Sequence, residues 1–593
     1  MSRKDQTLKR VLKLDPGLVI IFVLPLLLLI SNTNWTFNPP LSIDPWLYNG
    51  FFVRFEQHLK AFAETYYATR LSWIIPGYII YNLFPPIVAN YVLHLAVYYI
   101  ATLSLYLTLK LTISPKTALF TAVLMGCHPY FFGATGWDYV DGAGIAYYLF
   151  TILMLTCGAL LPCWKPFLLM AGIACGATVY TNITWIGLMP TLIIYYYLLN
   201  RFHRRNSIPF SIFLFGIGIL FVSGLLGVIN YSINQRFFFF LPSILVAKNL
   251  SSQANPWALD WRSWLPRASW LLLPTFVFLG SIWRLFLIRK KLSKSESLNP
   301  NLPVFQVCCV ANGIAMLIIQ IMGTPVLQIS YYASYLIPFT FLALGSMLNF
   351  GIRRFKSYNL ALLTIGITSL TVLLLNDSSN VFKTVALLLC LFVVGACLLN
   401  QYINGKQLTP SGLAFLVVLL GIYISANVHY LIFYFQVSDF QFLALKSKPE
   451  VSQTIRRTSP QETFLATMKT QALLKEIDPK VELMFWYNAR EATVYISIAS
   501  SNLWGYRLIG ENFPSLNSPA DNPQSMDLKV IKERLKRVSK IMIMSQQPNA
   551  LEQAKNSLNQ VGFDAKFLSQ YTISQGNITF TSTIIELSDN IKK

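Results

Sequence analysis

Acidic side chains are scarce over most of this chain: residues 1–438 hold only ten Asp and Glu, against 28 of the 47 Lys and Arg. The long apolar stretches contain almost no charge, which argues against a proton- or ion-coupled carrier, since such proteins need ionisable groups near mid-membrane. Cysteine is little used and badly placed for cross-linking. Cys127, Cys157, Cys163, Cys175, Cys308, Cys309, Cys390 and Cys397 all lie in or beside apolar segments. The polar C-terminal part has none, so no disulfide scaffold or CxxC metal site is open to it. Cys308-Cys309 reads as small packing surface in a helix. His58 and His128 stand near polar loops without an HxxxH or HxxE pattern, which leaves no zinc motif.

What is present in quantity is apolar surface. Of 593 residues 54% are hydrophobic and 12% charged, and the mean hydropathy is +0.50. Such a composition defines a polytopic α-helical membrane protein. The net charge of +22 does not signal a nucleic-acid partner, because the cations are spread over loops and the C-terminal part. The N-terminus is basic, with Arg3, Lys4, Lys9, Arg10 and Lys13, and precedes an apolar run at about 16–31. No small-x-small cleavage site follows, so the run reads as a retained first helix with a cytoplasmic N-terminus.

Further spans are predicted near 87–110, 116–133, 142–161, 166–182, 184–200, 207–230, 268–288, 303–323, 328–350, 358–375, 381–399 and 411–434, about thirteen transmembrane helices in all. An odd number puts the C-terminus outside, and charge provides an independent test. Twenty Lys and Arg, among them Lys110, Lys116, Lys165, Arg201 and Arg284, fall on the inward ends, whereas eight fall on outward segments before the tail. That asymmetry favours the same topology. Trp46, Phe51, Phe52, Phe55, Leu59 and Phe62 recur at the spacing of a helix lying on the outer leaflet, and 72–84 reads as a second interfacial or re-entrant helix. The chain thus divides into a membrane domain, 1–437, with outer loops at 33–86, 134–141 and 231–267, and a soluble α/β domain, 438–593, on the outer side. In the latter, 462–476 and 550–561 read as helices; 481–487, 540–544 and one or two segments within 565–587 read as strands.

Seven of the ten acids before residue 439 fall on outward segments: Asp44, Glu56, Glu64, Asp138, Asp141, Asp260 and Asp377. Two loops stand out, Asp44-Pro45-Trp46-Leu47-Tyr48-Asn49-Gly50 and Gly136-Trp137-Asp138-Tyr139-Val140-Asp141-Gly142. Chemistry at the outer water interface is the natural inference. Asp138 and Asp141, three apart, face one cavity if the turn between them is helical; alternatively Asp141 is an N-cap. Asp44 has the same alternative, as a cap before Pro45.

An acidic first loop with juxtamembrane helices, a second acidic loop after the third span and a soluble outer domain last give a chain that resembles the GT-C membrane glycosyltransferases. Within them it is most similar to family 39, the group of protein O-mannosyltransferases and lipid A aminoarabinose transferases. The resemblance covers about residues 10–435, and where family members carry Asp-Glu in the first loop this chain has Asp44-Pro45. It implies an inverting transfer of sugar from a polyprenyl-phosphate donor to a glycan, lipid or protein acceptor at the outer face of a bacterial plasma membrane. Asp44 matches the first-loop acid and would be the general base, with Asp138 and Asp141 as further catalytic acids. Tyr48, Trp137 and Tyr139 are the aromatics placed to bind substrate, or else ordinary interfacial anchors. Arg70, Lys248, Arg262 and Arg267 are the outward cations that a donor phosphate would meet, or else headgroup anchors. A divalent ion, magnesium or manganese, between Asp44 and Asp138 or Asp141 would suit oxygen ligands. The alternatives from other classes are a lipid-linked saccharide flippase or exporter and a non-catalytic envelope assembly subunit.

Overall fold

The computed structural model describes residues 16–39, 42–203, 207–250, 268–292, 301–352, 459–474, 483–487, 493–504, 510–512, 538–560, 562–576 and 578–589, with short pieces at 363–369, 371 and 535–536. The first helix, α1 (Pro16–Ser31), is followed by three short ones: α2 (Ile43–Val53), α3 (Phe55–Ala61) and α4 (Leu71–Leu83). The bundle continues with α5 (Pro86–Thr112), α6 (Pro115–Gly126), α7 (Pro129–Thr135), α8 (Asp141–Leu160), α9 (Trp164–Val179), α10 (Met189–His203), α11 (Ile208–Asn234), α12 (Leu241–Leu250), α13 (Leu272–Leu292), α14 (Asn301–Ile321) and α15 (Ile337–Ile352). Among the described residues five helical segments are long and apolar enough to cross a membrane, and a bent pair makes a sixth. The expected spans at 381–399 and 411–434, and most of that at 358–375, lie outside the described residues.

Two departures from the hydropathy reading have local causes. The span expected at 116–133 is broken: α6 and α7 meet at 69°. The bend falls at Cys127-His128, where Pro129 cannot donate an i to i−4 bond and forces the preceding residue out of helical dihedrals; His128 is extended, with ψ of 122°. The helix expected to lie on the outer leaflet is instead wrapped by protein. Pro45 to Phe52 of α2 are all buried. Leu47, Tyr48, Phe51 and Phe52 join the core of the bundle, while Trp46 packs with Phe37, Phe464, Ala499 and Leu503. Apolar periodicity is the same for a helix on lipid and a helix on protein; the small and polar Asn49 and Gly50, both buried, are what tell them apart here.

The C-terminal part forms a five-stranded sheet in the order β2-β1-β3-β5-β4, from β1 (Leu483–Tyr487), β2 (Gly510–Asn512), β3 (Lys540–Ser545), β4 (Phe563–Gln575) and β5 (Ile578–Asp589). The first three strands in that order run parallel, and β5 and β4 add antiparallel. Side chains alternate across β3: Met542 and Met544 enter one core with Ala466, Leu474 and Ile496, and Ile541 and Ile543 enter another with Ala554 and Leu558. The covering helices are α16 (Pro460–Leu474) and α17 (Thr493–Trp504) on the first face and α18 (Ala550–Gln560) on the second. Helix α17 and strand β2 were not expected from the sequence.

This sheet unit is held against α2 and α3. Gly50 permits the closest approach, since a Cβ there would sit 2.1 Å from the Leu503 carbonyl oxygen and 2.5 Å from His58 Nε2. His58 Nε2 lies 2.6 Å from that same carbonyl, and must carry the proton to donate to it. Arg54 donates to the Gln471 carbonyl at 3.2 Å, with its guanidinium 4.0 Å above the Trp504 ring. The Gln461 amide donates to Asn34 Oδ1 at 3.3 Å.

Candidate active site

At the end of the bundle that carries the sheet unit, a single guanidinium is enclosed by tyrosines. The backbone of Arg70 is fixed because it links a 3-10 turn, Tyr67–Thr69, to α4. Its side chain is buried, and Nη1 donates to the Tyr48 phenol oxygen at 2.6 Å. The rings of Tyr66, Tyr139 and Tyr48 stand 4.9, 5.2 and 5.5 Å from the guanidinium carbon. At such distances the ring faces stabilise the cation without neutralising it. Burial holds the phenols of Tyr48 and Tyr139 above their usual range, with Arg70 opposing it in part, so both remain neutral hydrogen-bonding groups.

Two carboxylates belong to this cage. Asp44, in the first turn of α2, is half-buried and accepts from the Tyr67 phenol at 2.9 Å. It sits inside the helix rather than at the N-cap, which is Ser42. Asp141 is the first residue of α8, after Val140 as N-cap, and makes no capping bond. It is buried, its Oδ2 has no hydrogen-bond partner among the described residues, and it lies within electrostatic reach of both Arg70 and Asp44. An orphaned buried carboxyl oxygen is costly and calls for a partner.

Asp138 has a different setting. Residues 136–140 are not helical, so Asp138 does not share a face with Asp141. Its side chain is fully buried; Oδ2 accepts from Asn38 Nδ2 at 2.6 Å and Asn49 Nδ2 at 3.0 Å, and Oδ1 lies 3.2 Å from His94 Nε2. With both oxygens engaged, Asp138 would have to give up these partners to join Asp44 around a divalent ion; the alternative with Asp141 does not require this. Among the described residues there is no group of three His, Cys, Asp or Glu that could hold a metal.

Trp137 is half-buried with its ring 5.5 Å from Tyr139, and its Nε1 is buried without a partner among the described residues. Lys248 falls in α12, away from the portion whose side chains are described, and Arg262 and Arg267 lie outside the described residues. The structure therefore brings together Asp44, Tyr48, Arg70, Trp137, Tyr139 and Asp141. Sequence reasoning missed several aromatic members. The Tyr66 and Tyr67 rings lie 4.0 Å apart and tilted, and a 3-10 turn, Ser330–Tyr335, brings Tyr331 to 5.6 Å from Tyr139 and Tyr332 to 4.5 Å from Tyr331. The available signal was Tyr331-Tyr332-Ala333-Ser334-Tyr335, three tyrosines in five residues, absorbed into a span predicted to start at 328.

No family model and no curated protein sequence matches this chain. Among solved structures, the crystal structure of ArnT from Cupriavidus metallidurans bound to undecaprenyl phosphate is similar, with 12% identity and a TM-score of 0.47 over 96% of this chain and 98% of that one. The apo oligosaccharyltransferase of Archaeoglobus fulgidus is 13% identical, with a TM-score of 0.45 over 89% of this chain and 69% of that one. AglB from the same organism, in complex with an inhibitory peptide and a dolichol-phosphate, is 11% identical, with a TM-score of 0.41 over 97% and 74%.

Proposed function

We propose that this chain is a GT-C membrane glycosyltransferase that passes a sugar from a polyprenyl-phosphate donor to a glycan, lipid or protein acceptor at the outer face of a bacterial plasma membrane. The observation that carries the reading is the Arg70 cage with Asp44 half-exposed at its edge and an orphaned Asp141 oxygen within it. A guanidinium has five N–H donors, and those that Arg70 does not give to Tyr48 and Tyr139 would meet the phosphate. The acceptor hydroxyl attacks C1 of the sugar with inversion, the C1–O bond to phosphate breaks, and the proton passes to the Asp44 carboxylate. Arg70 offsets the charge that grows on the departing polyprenyl phosphate. Asp141 Oδ2 accepts from a sugar hydroxyl, and Trp137 Nε1 donates to another, so both orphaned groups gain partners on binding. Lys248, Arg262 and Arg267 remain candidate headgroup or phosphate contacts.

The deciding experiment uses the purified full chain in nanodiscs, with synthetic polyprenyl-phosphate pentoses and hexoses and extracted envelope glycolipids or peptides as acceptors. Release of free polyprenyl phosphate together with a new glycoside of inverted anomeric configuration is the expected result. Movement of the intact donor between leaflets, without cleavage, would favour the flippase instead.

A further inference from the structure

The Asp138 neighbourhood contains a proton-counting puzzle. His94, on α5, is buried with both ring nitrogens directed at oxygens: Nδ1 is 2.9 Å from the Thr135 carbonyl and Nε2 is 3.2 Å from Asp138 Oδ1. A carbonyl can only accept, so Nδ1 carries a proton. A neutral ring would then need Asp138 to be the protonated partner. The other side of the carboxylate argues otherwise. The Asp138 backbone N–H donates to Asn38 Oδ1 at 2.8 Å, which orients that amide with its Nδ2 toward Asp138 Oδ2. Asn49 adds a second amide donor to the same oxygen. Two side-chain amide N–H groups converging on one carboxyl oxygen are met best by an ionised carboxylate.

We infer that His94 and Asp138 form a buried imidazolium–carboxylate pair that fixes the second loop against α2 and thereby sets the distance between Asp44 and Asp141. The connections are direct: Asn49 lies on the helix that carries Asp44, and Asn38 lies in the segment before it. The Asp138 carbonyl accepts from Trp73 on α4 at 2.7 Å, tying in the helix that follows Arg70. Asp138, assigned catalysis by sequence, thus becomes a positioning residue, as does His94. The link to Asp44 and Asp141 rests on the glycosyltransferase reading; the charge state of the pair does not.

The test combines nitrogen-15 NMR of histidine-labelled chain in nanodiscs, hydrogen exchange and kinetics on Asp138→Asn and His94→Gln, with the double variant in reserve if either single one fails to fold. The expected spectrum shows protons on both His94 nitrogens near neutral pH, lost in Asp138→Asn. Exchange should rise together in residues 43–53 and 136–141, and kcat should fall by roughly a hundredfold with donor KM nearly unchanged, as a misplaced base demands. A single proton, on Nδ1 alone, would overturn the ion pair. Unchanged exchange, or a parental kcat in a folded Asp138→Asn chain, would overturn the positioning role. If the parent chain transfers no sugar, the glycosyltransferase reading fails, while the spectrum and the exchange still decide whether the pair exists and holds the loops.

Discussion

At the scale of single residues, the proposed mechanism gives charge binding and proton transfer to different side chains of the cage. Arg70 hydrogen-bonds to a phenol and meets ring faces rather than pairing with a carboxylate, which leaves it able to meet an anion, whereas Asp44 is half-buried. Arg70→Gln should therefore weaken donor binding by about tenfold to a hundredfold, the worth of a lost hydrogen bond to a charged group. Titration of a fluorescent polyprenyl phosphate measures it, and parental affinity would remove Arg70 from the phosphate site. Asp141→Asn should act differently, because the amide retains one oxygen. A rise in KM for the donor sugar, with binding of sugar-free polyprenyl phosphate unchanged, is expected. The acids and Arg70 were legible in the sequence because charge is rare there and stands out. The aromatic walls were not, since tyrosines at a span boundary read equally as interfacial anchors.

At the scale of elements, α2 is the part on which most depends, since one helix presents Asp44 to the cage, Asn49 to Asp138 and Gly50 to the sheet unit. Gly50→Ala must push the Leu503 carbonyl or the His58 ring aside, and overpacking of this kind costs about 1–3 kcal/mol. A lowered melting temperature and faster proteolytic release of the sheet unit should result; a parental melt would mean that the contact yields freely. The same junction should be acid-sensitive. Burial lowers the pKa of His58 to about 4, so the docked state binds fewer protons than the undocked one, in which the ring returns to about 6.5. Docking is at full strength above 6.5 and weakens as pH falls from 6.5 toward 4. His58→Gln should flatten that dependence of proteolytic release on pH. Hydropathy reads such an element poorly because it is blind to what covers an apolar face. It failed in the opposite way at α17, where Thr493-Val494-Tyr495-Ile496-Ser497-Ile498 has the composition of a strand. Burial of Ile496, Ala499 and Leu503 at helical spacing overrides that propensity.

At the scale of the whole molecule, the cage and the sheet unit share one end of the bundle, and Lys110, Lys116, Lys165 and Arg201 lie at helix ends or connections on the other. Reporters fused after Arg205 and Arg354 should be cytoplasmic and one fused after Lys593 should be outside. A cytoplasmic reporter after Lys593 would place the cage on the wrong side for an outward-facing donor. In the proposed mechanism Asp44 removes the acceptor proton. The most direct measurement of that step is single-turnover transfer by Asp44→Asn in nanodiscs preloaded with a defined polyprenyl-phosphate sugar. The amide keeps the size of the carboxylate and the bond from Tyr67. Parental donor binding with transfer slowed by about 100-fold or more is the expected result. Transfer at the parental rate by the folded variant would contradict it.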